Sequence, residues 1–145
     1  MSDPYNDPSV NKVLAVDDDA LVLAALKEQL PLMGFHVTTV DSDTLAREHL
    51  KAEIFGIILI EQNLAGTSGI ELLKEAQEAQ PDATRILLAS GISIEEVTEV
   101  LKVGHLHVVV TGKMRALFDF LDSVILDFLD SIVVLDFGGL LFLIT

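Results

Sequence analysis

Two sets of side chains stand where they could do chemistry. Asp17, Asp18 and Asp19 follow at once on the apolar run KVLAV, Lys12 to Val16. Glu61, Gln62 and Asn63 follow in the same way on FGIILI, Phe55 to Ile60. Two later apolar runs end in Ala89-Ser90-Gly91 and in Thr111-Gly112-Lys113. If these ends converge, at least three carboxylates meet with no Arg beside them. Such a cluster is a hard oxygen site of the kind Mg²⁺ takes. The plainer alternative is a solvated acidic rim, and the residues alone leave both open.

The elements that would bring them together are legible in the spacing. KVLAV reads as a strand, and Ala20 to Leu32 has helical spacing through Leu21, Leu23, Leu26 and Leu30, ended by Gly34. FHVTTV (Phe35 to Val40) is a second strand, Thr44 to Lys51 a short polar helix, and Phe55 to Ile60 a third strand apolar on both faces. A run of that kind suits a strand covered by helices on both sides. Ser68 and Glu71 form a capping box that opens a helix to about Gln80; Pro81-Asp82 breaks it before the strand Thr84 to Ala89. Ser93 and Glu96 repeat the device, Gly104 caps that helix, and Leu106 to Val110 is a fifth strand. Five βα units at this spacing imply an α/β fold with a five-stranded, doubly wound parallel sheet, because parallel strands need helix-length crossovers. In such open sheets the site lies at the carboxyl ends of the strands, where strand order reverses.

Composition narrows the function. With 145 residues the chain is about one domain, and 50% hydrophobic content makes it globular. Nine Lys plus Arg against 23 Asp plus Glu give a net charge of -14, which repels phosphate backbones and anionic lipid heads. The absence of Cys removes disulfides, thiolate metal sites and Cys nucleophiles, and suits a reducing cytosol. Residues 1–10 hold two prolines and no apolar h-region, so they read as a flexible leader. His105 and His107 alternate on one strand but lack a third ligand, and His36 and His49 show no partner spacing. Gly66-Thr67-Ser68-Gly69 lacks the lysine of a phosphate loop and reads as a turn with an N-cap. No G-x-S-x-G elbow is present.

The segments VLAVDDDALVLAALKEQL, FGIILIEQNLAGTSGIELL and QPDATRILLASGISIEEV resemble, in order and spacing, a response-regulator receiver domain of two-component signalling, from about Asn11 to Met114. The resemblance implies a flavodoxin-like fold that reports a phosphorylation state to partners. It also implies that Asp17 and Asp18 are the acidic pair that holds Mg²⁺, with position 61 and the main-chain carbonyl of Asn63 completing the protein's share of the ligands.

Against the family pattern the chain departs at linked positions. The phosphoacceptor aspartate is replaced by Glu61, which reaches roughly 1.5 Å further, and in-line phosphoryl transfer tolerates little misplacement. The hydroxyl position is Ala89, with Ser90 one residue late; the lysine position is Gly112, with Lys113 one residue late. The switch aromatic aligns with Val109 and the loop proline with Ala65. These departures point to a pseudo-receiver that binds Mg²⁺ weakly or not at all, has no catalytic residues of its own, and acts by protein interaction with a histidine kinase or an output protein. The competing reading is a working phosphoreceiver with a displaced site, carried by Glu61, Asp17, Asp18, Ser90 and Lys113.

Residues 11–123 would form the receiver, and 124–145 an atypical tail. After Arg115 no Lys, Arg or His occurs, and DFLDSVIL from Asp119 is echoed by DFLDSIVV from Asp127. On a helix Asp119, Asp122, Asp127 and Asp130 share one side and leave a wide apolar face, a surface for a partner or for a homodimer. As a membrane span these four Asp would each cost about 2.5 to 3.5 kcal/mol, so a tail-anchored regulator is the weakest reading. A cytoplasmic module without nucleic-acid contact is expected.

Overall fold

The computed structural model describes residues 8–89, 106–110, 133–136 and 141–144. A 3-10 turn, Pro8–Asn11, leads into β1 (Lys12–Val16), α1 (Ala20–Gln29) and a second 3-10 turn, Leu30–Met33. Then come β2 (His36–Val40), α2 (Asp43–Ala52), β3 (Ile57–Glu61), α3 (Gly69–Ala79), β4 (Thr84–Ala89) and β5 (Leu106–Val110). The first five strands are parallel and lie in the order β2-β1-β3-β4-β5. This is the expected doubly wound sheet. Strand order reverses beside β1, so the carboxyl ends of β1 and β3 flank the crevice.

Alternation along the strands feeds two apolar layers. Leu14, Val16, Ile58, Ile60 and Leu87 pack on one face with Ala46 and Leu50 of α2 and with Leu72, Leu73 and Ala76 of α3. Val13, Ala15, Ile57, Leu59, Ile86 and Leu88 pack on the other with Leu26, Leu30 and Phe35. Hence β1 and β3 have no polar face: both of their sides are interior.

Element ends follow local chemistry. Pro31 has no N–H to donate back into the helix, so α1 stops at Gln29 and the chain tightens into a 3-10 turn that Gly34 closes at φ 90°. The expected helix to Leu32 is therefore shorter by one turn. Ser42 caps α2 by accepting from the Leu45 N–H, which starts that helix one residue ahead of Thr44. The third strand runs to Glu61 instead of stopping at Ile60, while Phe55 is buried ahead of it.

Two further strands extend the sheet beyond the five expected. Val133–Asp136 forms β6, parallel to β5, and Leu141–Ile144 forms β7, antiparallel to β6, extending the sheet to seven strands. Val133 and Val134 are β-branched, and four residues including Gly138 and Gly139 separate the strands, a composition that favours a hairpin over a helix. The helix expected over Ser93 to Val103 and the stretch with Asp119, Asp122, Asp127 and Asp130 lie outside the described residues.

Two buried polar side chains tie the amino-terminal pole of the sheet. Gln80 accepts from the Phe55 N–H (2.8 Å) and donates to the carbonyls of Leu50 (3.0 Å) and Glu53 (2.6 Å), closing the end of α2 onto the start of β3. The Arg85 guanidinium, fully buried, donates to the carbonyls of Pro81 and Ala83 and fixes the turn into β4. Replacing Gln80 by Ala strands one buried N–H and two carbonyls, so urea denaturation is expected to show a loss of about 2 kcal/mol; a loss below about 0.5 kcal/mol would refute this role.

Candidate functional site

Asp17 is the first residue past β1. Its N–H donates to the Val40 carbonyl (3.1 Å), which holds it against the end of β2. Only 3% of the residue is exposed, and its Oδ1 accepts from the Asp19 N–H at 2.9 Å. Burial pushes its carboxyl above the usual range, the Asp19 N–H opposes this, and the charges of Asp18 and Asp19 add to the rise. Asp18 is exposed beside it. Asp19 serves the helix instead, as the N-cap of α1, its Oδ1 accepting from the Leu21 N–H at 2.9 Å. An Asp directly before a helical run is itself an N-cap signature, and it would have separated Asp19 from the pair in the sequence.

Glu61 closes β3, paired in register with Leu88 of β4. It is half-buried, and burial raises its carboxyl most. The Asn63 N–H, donating to Glu61 Oε1 at 3.3 Å, works against that shift, while the charges of Asp17, Asp18 and Asp19 push the same way as burial. The fold thus brings Asp17, Asp18 and Glu61 within electrostatic reach of one another. Among the described residues no ion pair involves any of them.

The loop between β3 and α3 is folded tightly on itself. Gln62 donates its N–H to the Leu88 carbonyl (2.8 Å), its carbonyl accepts from the Gly69 N–H (2.8 Å), and its Oε1 accepts from the Ile70 N–H (3.1 Å). Asn63 and Ser68 form an antiparallel bridge across the loop. Ser68 caps α3 by accepting from the Glu71 N–H, as the capping box predicts. Gly69 lies against the Glu61 carbonyl, and a Cβ there would stand 2.7 Å from Gln62 Cα. The clip made by Gln62 carries no sequence motif that would announce it.

Among the described residues no group of three or more His, Asp or Glu side chains gathers closely enough to hold a metal by itself. Mg²⁺ keeps several waters and uses only one or two carboxylates. The donor chemistry on offer, one buried carboxylate, two neighbouring ones and the exposed loop that carries the Asn63 carbonyl, is all hard oxygen.

Ala89 is the last residue of β4 and pairs with Val110, while Val109 pairs with Leu88, so both positions stand at the same edge of the sheet as Glu61. Ser90, Gly112 and Lys113 lie outside the described residues, as does His105. His107 is in β5 and His36 is exposed on β2. His49 does have a partner: its Nδ1 is 3.1 Å from Glu53 Oε2, an i,i+4 contact at the end of α2, far along the chain from the acidic residues.

Residues 13–114 match the family model described as the response regulator receiver domain. Over 94 residues the chain is 30% identical to the transcriptional regulatory protein ZraR of Escherichia coli K12, a match that takes in 65% of this chain and 21% of that protein. The chain therefore spans about a fifth of that relative's length. A CheY-like receiver domain from Methanospirillum hungatei superposes with TM-score 0.71 at 24% identity, over 78% of this chain and 91% of that one. The response regulator TrrA of Thermotoga maritima, solved with Mg²⁺ and beryllofluoride, gives 0.67 at 21% identity, over 79% and 98%. At those identities the two structures speak for the fold. The family match takes in β1 through β5 and both acidic loops, and the chain belongs to the response regulator receiver domains of two-component signalling.

Proposed function

We propose that this chain is a pseudo-receiver: a signalling module that works by binding another protein and is not phosphorylated at the position the family uses. The observation that carries the reading is the glutamate that ends β3 in place of an aspartate. Its longer side chain folds back onto the N–H of Asn63 in its own loop, which draws the carboxylate toward the protein instead of presenting it for in-line attack. The methyl side chain of Ala89 at the hydroxyl position and Val109 at the aromatic position support it, since a transferred phosphoryl group would find neither the hydroxyl nor the switch ring.

Mg²⁺ fits the oxygen donors of Asp17, Asp18, Glu61 and the Asn63 carbonyl, and bound there it would offset the repulsion among the three carboxylates. Asp17 would be the direct ligand, because its buried carboxylate is already oriented by the Asp19 N–H; Asp18, exposed, would act largely through water. No catalytic step is assigned to the chain. Its partner would be a histidine kinase or an output protein in the cytoplasm, and a homodimer through the tail is a second mode of association. A net charge of -14 leaves any contact with DNA to such a partner. No helix among the described residues is long and apolar enough to cross a membrane.

The test is the amide NMR spectrum of the full chain with Mg²⁺, before and after beryllofluoride. The expected result is that Mg²⁺ alone perturbs the amides around Asp17 and Asp18, and that beryllofluoride adds nothing. Shifts spreading from Glu61 to β5 on adding beryllofluoride would overturn the pseudo-receiver and favour a phosphoreceiver with a displaced site.

A further inference from the structure

A single guanidinium joins three elements around the site loop. Asp43 stands in the first turn of α2, behind its Ser42 cap, and Arg47 one turn later donates from Nη1 to Asp43 Oδ2. The same Arg47 donates from Nε to Glu75 Oε2 of α3 at 3.0 Å. On its other side the Asp43 carboxylate lies against Gly66 of the β3 to α3 loop: a Cβ on Gly66 would be 3.0 Å from Asp43 Cγ and closer still to Oδ1. The chain Gly66, Asp43, Arg47, Glu75 thus runs from the loop across α2 to α3. Asp43 keeps only about a sixth of its side chain exposed, at 17%, while Arg47 at 37% and Glu75 at 50% reach the surface, so the Asp43 end is the sheltered part of the network.

We propose that Arg47 is a positioning residue for the site: it holds Asp43 under Gly66 and so fixes the loop that follows Glu61 and carries the Asn63 carbonyl. The inference deepens the reading of that loop as the functional site and rests on it. Its physical content is that the loop's shape is set by a permanent cation on α2, where a phosphorylation switch would leave it to the transferred group. Arg suits this role because its fork serves two carboxylates at once, which a lysine ammonium on a flexible stem does less well. The same contact makes α2 and α3 the elements that feel any displacement of the loop, in a chain whose hydroxyl and aromatic positions are Ala89 and Val109.

The test is amide hydrogen exchange on the full chain, without Mg²⁺ or any phosphodonor, so that its outcome is separate from the fate of the pseudo-receiver reading. Arg47→Ala is expected to speed exchange about tenfold at Asn63, Gly69 and Ile70, whose N–H groups are bonded within the loop, and by less than about twofold at Leu14 and Leu59 of the central strands. Arg47→Lys should restore part of the protection. Gly66→Ala should also give about tenfold, but less than about twofold more when added to Arg47→Ala, because an untethered Asp43 can swing away from the new methyl. Asp43→Asn makes the same cut from the other side and serves if Gly66→Ala fails to fold. Strictly additive effects of Gly66→Ala and Arg47→Ala, or faster exchange in loop and core alike, would overturn the proposal.

Discussion

Gly69→Ala is expected to cost about 3 kcal/mol of stability and to displace the loop that follows Glu61. The new methyl would overlap the Glu61 carbonyl and stand 2.7 Å from Gln62 Cα and 2.8 Å from Glu61 C. All three atoms are backbone, fixed by the β3 ladder, by the Gln62 N–H on the Leu88 carbonyl and by the Gly69 N–H on the Gln62 carbonyl. None can rotate aside, so α3 must retreat from the end of β3. That retreat breaks the bonds of Gly69 and Ile70 to Gln62, and the Glu61 carboxylate moves with them. Gly34→Ala is the matching control: Gly34 has φ 90°, where a side chain is strained, yet nothing lies within 4 Å of its Cβ position. It should cost only about 1 kcal/mol and leave the site untouched. Urea denaturation gives the stabilities, and the amide shifts of Glu61 and Asn63 report the loop. A Gly69→Ala variant as stable as Gly34→Ala, with unmoved shifts, would refute the close packing of α3 on β3.

What could be read from the sequence divides along physical lines. Interior strands announce themselves because both faces are buried: Val13 to Val16 and Ile57 to Ile60 are apolar without interruption, and they fall where expected. Caps with a hydroxyl three residues before a glutamate, such as Ser68 and Glu71, are equally legible. The acidic residues follow from the topology, since any side chain just past β1 or ending β3 must stand at the switch point. Contacts between residues distant in sequence have no such signature. Gln80, buried against Phe55, Leu50 and Glu53, looks like any polar residue at a helix end; Glu75 shows nothing that would assign it to Arg47. Asp43 with Arg47 and His49 with Glu53 are i,i+4 pairs that spacing could have supplied. The Asp spacing that suggests a helix belongs to residues 119–130, outside the described ones, while β-branched Val133 and Val134 lie in a strand beside β5. At Val133 and Val134 local β preference and pairing with an open sheet edge favour the strand together.

Asp17→Asn separates stability from ion binding. Like charges surround the buried Asp17 carboxylate, and its pKa and that of Glu61 are both raised, with burial the largest cause in each. A carboxyl with a raised folded value penalises the native state above that value, and the penalty is relieved as pH falls through it. Acidification from pH 7 toward 4.5, an ordinary glutamate's value, should therefore raise the unfolding temperature of the metal-free chain. The opposing groups act lower: Asp43 and Glu53 are held below their ordinary range, by Arg47 and by Lys12 with His49, and their support fades only as pH drops through those lowered values. Among the described residues the carboxyls raised above their ordinary values, and so acting at higher pH than these, are Asp17 and Glu61. Asn keeps the oxygen that accepts from the Asp19 N–H and removes the charge, so the variant should be more stable at pH 7 by on the order of 1 kcal/mol, with a flatter pH profile. The same change removes the best-placed ligand for Mg²⁺, and affinity should fall on the order of 100-fold in a Mg²⁺ titration. A variant that loses stability at pH 7, or that keeps the steep pH profile, would show that the buried carboxylate is already compensated. A variant that gains stability and still binds Mg²⁺ as before would move the ion away from Asp17 and leave the acidic pair as an inherited rim.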